Sequence, residues 1–214
     1  AFGKPLFDYA LESFNAYFQE EEFLFICRDI CDTKRFIKQR CKVMGIKNMS
    51  IVELTEPTQG QAETVSLGLS AAQITDQSIT IFNIDTFRRN FKLPDFINSC
   101  DGYLEVFIGE GNNWSYAEPE SEQSNKVIRT AEKQAISNLC STGLYHFARA
   151  SDFQKAFSDA LSDTNTRDNN ELYIAPLYNY LISNGANIFY DLISTEDVTF
   201  CGVPDEYDVF LKSK

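Results

Sequence analysis

Apolar residues recur at helical spacing over residues 4–18, where Leu6, Tyr9, Ala10, Phe14 and Phe18 would share one face. A short apolar run over 22–27 reads as a buried strand, and 32–44 as a helix with Lys and Arg on its polar face, closed by Gly45. The next strand is expected over 49–54 and a third helix over 60–73. A third strand, 78–84, ends in Asn83-Ile84-Asp85. Helices alternating with short apolar strands predict right-handed crossovers, an α/β fold and a mixed, mostly parallel sheet flanked by helices. Ligands in such sheets sit beyond the carboxyl ends of strands, and Gln59-Gly60 and Asp85 both fall at such ends.

After Cys100 the pattern changes. Runs over 102–107, 114–117, 126–132 and 139–148 are strand-like, which predicts an antiparallel or mixed region. Helices are expected over 152–161 and 172–183, a strand over 187–193, and a closing helix over 204–211 with Pro204 in its first turn. No repeat or linker interrupts the chain, so one domain over 1–214 is expected.

Gly60 lies between a turn-forming stretch and a helix start. It would let the backbone approach a flat or anionic ligand while the first helical N–H groups face it; the same residues also suit a plain connection. Composition narrows the ligand. Nineteen basic against 31 acidic residues leave a net charge of -12, which argues against nucleic acid but not against a small anion neutralised by a few cations or a metal ion. With 18 Phe and 10 Tyr the core is expected to be aromatic-rich.

The six cysteines are dispersed and mostly embedded in apolar runs, as reduced core thiols are, which points to the cytoplasm. Cys27, Cys31 and Cys41 are irregularly spaced for zinc, and the single histidine, His146, is remote. No apolar run is long enough for a bilayer, so a soluble protein with no membrane partner is expected.

Gly3-Lys4-Pro5-Leu6, Gln59-Gly60-Gln61-Ala62, Asn83-Ile84-Asp85, Glu132-Lys133, Ser141-Thr142-Gly143-Leu144-Tyr145 and Gly202-Val203-Pro204 follow one another in an order that resembles the bacterial sugar nucleotidylyltransferases. These are the NDP-sugar pyrophosphorylases of capsule and lipopolysaccharide synthesis. The resemblance implies a nucleotide-diphospho-sugar transferase (GT-A-like) fold. It also implies transfer of a nucleotidyl group from a nucleoside triphosphate to a sugar 1-phosphate, with Mg2+ as cofactor and pyrophosphate released. Asp85 then corresponds to the Mg2+-binding aspartate, and Gln59, Gly60 and Gln61 to the base-reading loop. Glu132 and Lys133 match the pair that holds the sugar and its phosphate, Lys133 with a catalytic role. Thr142, Gly143 and Tyr145 match the sugar-phosphate rim, and Trp114 and Tyr116 the stretch facing the sugar. A homodimer is left open.

Two departures accompany the resemblance. The family opens with a strand and a glycine-rich loop ahead of its Gly-Lys-Pro segment, so about 20 to 30 further residues are expected before Ala1 in the natural protein. Lys4 matches a later, structural lysine. Phe200 stands where many relatives carry a second metal-binding aspartate, which leaves Asp197 or Asp205 as substitutes. The competing readings are a non-catalytic relative that binds a nucleotide sugar or a protein, a cytidylyltransferase for a non-sugar phosphate such as an amino-alcohol phosphate, and a glycosyltransferase. Asn83-Ile84-Asp85 supplies only half the Asp-x-Asp motif that a glycosyltransferase wants.

Overall fold

The alternation read in the first third of the chain is present in a computed structural model that describes residues 1–163 and 171–213. In order come α1 (Leu6–Glu12), β1 (Glu22–Arg28), α2 (Thr33–Met44), β2 (Asn48–Leu54), α3 (Gln61–Ala71), β3 (Ile79–Ile81) and β4 (Thr86–Arg88). They are followed by β5 (Gly102–Ile108), β6 (Ser115–Pro119), β7 (Val127–Glu132), β8 (Leu139–Phe147), α4 (Ala150–Ser162), α5 (Tyr178–Ser183), β9 (Ile188–Leu192), β10 (Val198–Phe200) and α6 (Pro204–Lys212). Helix α2 ends at Gly45, whose φ of 78° lets its N–H close back onto the Lys42 carbonyl. Helix α1 is shorter than its periodicity suggests. The chain leaves it at Ser13, and Phe14 and Tyr17 instead pack their rings on Phe91.

The sheet is mixed, and its parallel part is smaller than expected. Among the described residues parallel pairing is confined to β1–β2, in register from Glu22↔Asn48 to Arg28↔Leu54, and to β5–β9. Strand β8 carries β5 antiparallel along one edge and, at opposite ends of its other edge, β3 and β6; β7 follows β6. From β5 to β8 the strands are joined by short connections without helices, which favour antiparallel neighbours, and helices return only between β8 and β9. Strands β4 and β10 form a separate antiparallel ribbon.

The β1–β2 pair is not joined to the central sheet by any ladder among the described residues. Between β1 and β3 runs a cleft of about 1590 Å³ whose walls include Phe23, Phe25, Ile79 and Ile81. The side chains of β1 are accordingly only half-buried despite their apolar character.

On the central sheet, α3, α4 and α5 enclose the main core. Phe147, fully buried, stacks on Tyr178 at 4.7 Å, a side chain whose burial is worth roughly 2 to 3 kcal/mol. Cys41, Cys100, Cys140 and Cys201 are buried thiols, whereas Cys31 is exposed at the start of α2, an exception to the core placement expected of the cysteines. Among the described residues no helix is long and apolar enough to cross a membrane.

Candidate active site

The cleft gathers most of the residues that the motifs single out. Gln61, Asp85, Trp114, Glu132, Thr142, Gly143 and Tyr145 all line it. Asp85 follows β3 and opens the β4–β10 ribbon, where its carbonyl accepts the Cys201 N–H at 2.8 Å. Its carboxylate faces Gly202: a Cβ placed there would lie 3.1 Å from Asp85 Oδ2 and 3.7 Å from Glu206 Oε2. On the floor, Gln61 at the first position of α3 donates to Asn83 Oδ1 at 2.6 Å. Asn83 in turn presses against Gly143, which has a φ of 88° and where any Cβ would fall 2.4 Å from Asn83 Nδ2. Only glycine fits that contact.

Tyr145 is buried, and its hydroxyl donates to Ser115 Oγ at 3.3 Å; Ser115 donates onward to Glu132. This chain fixes the Glu132 carboxylate at the rim, and burial raises the Tyr145 phenol above its ordinary value, keeping it a neutral donor. Lys133 is exposed, with its ammonium 4.6 Å above the Tyr173 ring and bonded to the Tyr173 hydroxyl, which itself donates to Glu171. That bond raises the Lys133 pKa. Glu171 and Tyr173 line the cleft, so Lys133 reaches its edge through them.

Gln59 and Gly60 are not among the lining residues. The close backbone approach that Gly60 permits is made to Leu172: a Cβ on Gly60 would lie 2.7 Å from the Leu172 carbonyl oxygen. Leu172 N–H donates to the Gln59 carbonyl at 3.0 Å, and Ala62 N–H to the Leu172 carbonyl at 3.2 Å. Tyr116 is a core residue, fully buried and donating to the Gly111 carbonyl.

His146 stands at the cleft's inner wall, 3% exposed, with Nδ1 3.0 Å from Thr80 Oγ1. Burial lowers its pKa from the ordinary 6.5 to about 4. The folded protein therefore holds it neutral where the unfolded chain protonates it. Its stabilisation is complete above pH 6.5, and about 3 kcal/mol is lost as the pH falls toward 4. Replacing His146 with Phe is expected to flatten the fall in melting temperature over that interval; an unchanged slope in thermal melts contradicts the assignment.

A crystal structure of the nucleoside-diphosphate-sugar pyrophosphorylase from Vibrio cholerae RC9 superposes with a TM-score of 0.96 at 51% identity, covering 100% of this chain and 89% of that one. The chain belongs to the nucleoside-diphosphate-sugar pyrophosphorylase family. More distant structures share the fold: UDP-glucose pyrophosphorylase complexed with UDP-glucose, at 16% identity and TM-score 0.70, over 99% of this chain and 88% of the other. The inositol-1-phosphate CTP transferase from T. maritima aligns at 14% identity and TM-score 0.69, over 95% and 79%. No protein-family profile and no curated protein matches the chain.

Against this family background two positions stand out. Phe200, at the place of the expected second aspartate, packs its ring 4.8 Å from Trp114, which also meets Phe107 at 5.1 Å. Asp197 and Asp205 do not line the cleft, whereas Glu206 does. Glu206 escaped the sequence reading because its position, third in a proline-led helix, marks a capping residue; its Oε2 does accept the Gly202 and Val203 N–H groups, at 2.8 and 3.3 Å. Lys4 is bonded to both carboxylate oxygens of Glu12 at 2.6 Å and lies over the Tyr9 ring, a structural pairing.

The donor set suits a hard cation shared with a substrate. Asp85 and Glu206 offer carboxylate oxygens around Gly202, and among the described residues no three acidic, His or Cys side chains converge as a resident metal site would require. Mg2+ is commonly bound by one or two carboxylates, with substrate phosphates and water completing its shell.

Proposed function

We propose that this cleft joins a nucleoside triphosphate to a sugar 1-phosphate, releasing pyrophosphate and forming an NDP-sugar for surface polysaccharide. The observation that carries the reading is the placement of Asp85, Gln61, Gly143 and Glu132 on one cleft in a chain of this family. Mg2+ would be held by Asp85, and when bound it supplies countercharge to the phosphates. Gln61, on the floor of the cleft, places the nucleotide, while Gln59 and Gly60, outside the lining, fix the start of α3 against Leu172. Glu132, steadied by Ser115 and Tyr145, accepts from sugar hydroxyls, with Trp114, Thr142 and Gly143 completing that wall. Lys133, held by Tyr173, meets the acceptor phosphate as it arrives, and in-line positioning does the rest.

The test is pyrophosphate release by the natural protein over a panel of nucleoside triphosphates and sugar 1-phosphates with Mg2+. Silence with every pair sinks the reading. Lys133→Met is expected to raise the acceptor KM about tenfold or more with a smaller effect on the nucleotide KM, since one charge-assisted contact to phosphate is lost.

A second reading is favoured by the lining itself. Glu110, Glu132 and Glu171 stand with Trp114 and Tyr173 on this cleft, a wall suited to an acceptor phosphate that also bears an ammonium group. Including a phosphorylated amino alcohol in the panel separates the two: preference for it over neutral sugar phosphates selects the second reading.

A further inference from the structure

Behind the cleft a buried ion pair connects the segment that carries Asp85 to β5, the neighbour of the strand that presents Gly143, and we infer that Glu105 and Arg88 are positioning residues for both halves of the site. The inference rests on the nucleotidyl-transfer reading above.

Arg88 closes β4, three residues after Asp85, and is 9% exposed. Its Nε donates to Glu105 Oε2 at 2.7 Å, its Nη1 to the Arg89 carbonyl at 2.5 Å, and its backbone N–H to Ser13 Oγ at 2.8 Å. The β4–β10 ribbon has no ladder to the central sheet among the described residues, so this ion pair anchors it to β5. Asp85 sits at the start of the ribbon and can be no better placed than the ribbon itself.

Glu105 is fully buried in the middle of β5. The β5–β8 register runs Leu104↔Tyr145 and then Val106↔Ser141, so Glu105 alone stands against Thr142, Gly143 and Leu144. This is a bulge, a device that re-aims backbone beside a site. The Thr142 hydroxyl, turned inward, donates to Glu105 Oε1 at 3.0 Å, while Gly143 is pushed toward Asn83 and the cleft. One carboxylate thus holds the ribbon with one oxygen and the bulge with the other. Asp191, the register partner of Glu105 on β9, faces the same guanidinium. Burial raises the Glu105 pKa and the neighbouring guanidinium pulls it back down, so the arrangement depends on both partners.

Glu105→Gln preserves volume but turns one acceptor oxygen into a donor facing Arg88 or Thr142. With the natural protein, the expected result is a retained cooperative melt and a dissociation constant for Mn2+, measured by electron paramagnetic resonance beside a nucleoside triphosphate, raised about tenfold or more. The acceptor KM is expected to rise about fivefold. Thr142→Val removes the hydroxyl's bonds to Glu105 and to the Leu144 N–H and leaves the Arg88–Glu105 pair in place, so it is expected to raise the acceptor KM while Mn2+ affinity stays within about twofold. Loss of thermal stability alone would not separate these two readouts. A folded Glu105→Gln protein with both constants within about twofold of the parent overturns the inference. If that variant does not fold, Arg88→Lys, which keeps the charge and loses the Nε contact, is held to the same two thresholds. A parent that neither binds Mn2+ beside nucleotide nor releases pyrophosphate fails at the underlying reading and takes the inference with it, a result distinct from a working parent with indifferent variants.

Discussion

Replacing Asp85 with alanine is expected to abolish nucleotidyl transfer, lowering kcat on the order of a thousandfold or more, because the change removes a charged ligand from the point where phosphate charge must be stabilised. The fold should not follow the activity. What Asp85 contributes to structure is its backbone carbonyl, which pairs with the Cys201 N–H and survives the substitution. The side chain is only half-buried. The melting temperature is therefore expected to stay within about 2 °C of the parent. Asp85→Asn keeps the shape and loses the charge, so comparable loss in both variants assigns the effect to charge. Undiminished pyrophosphate release in Asp85→Ala removes Asp85 from the chemistry.

The second large effect concerns stability. Gly60→Ala is expected to destabilise the protein by about 3 kcal/mol, a fall of roughly 6 to 12 °C in melting temperature for a chain of this size. Two terms add. With φ 140° and ψ 177° the backbone occupies a region essentially reserved for glycine. The new methyl would also lie 2.7 Å from the Leu172 carbonyl oxygen, and that oxygen is bonded to Ala62 N–H and has no slack to move away. Gly45→Ala supplies the control. Its φ is 78° but nothing lies within 4 Å of the added carbon, so only the conformational penalty of about 1 kcal/mol applies. Equal melts for the two variants would show that the Leu172 contact is not rigid.

Local order along the first third of the chain was legible because each element announces itself over several residues. Apolar runs mark β1 and β2, and a glycine that accepts positive φ marks the end of α2. The strand read over 78–84 is shorter than its apolar run: β3 stops at Ile81, and Asp85 lies in the turn that leads into β4. Strands β4 and β10 were not legible. Each has three residues, and what makes them strands is their pairing with each other, Thr86↔Phe200 to Arg88↔Val198, across more than a hundred residues of chain. Glu206 was hidden because a carboxylate at the third helical position has a sufficient local explanation as a cap. Thr142 was read as part of the rim on the strength of its neighbours, and only the bulge shows that its hydroxyl turns inward to Glu105.

The sequence by itself determined the α/β class, the order of most elements and the set of residue types available for chemistry, because hydrophobic periodicity, turn residues and motif order are local properties of the chain. Tertiary structure alone decided that parallel pairing among the described residues is confined to two strand pairs and that Gly60 answers to Leu172. It also decided that Glu206 rather than Asp197 or Asp205 stands beside Asp85, and that one buried carboxylate holds both Asp85's ribbon and Gly143's bulge. Each of these depends on which side chains meet across long separations, and contact of that kind is set by packing and pairing geometry rather than by neighbours in sequence.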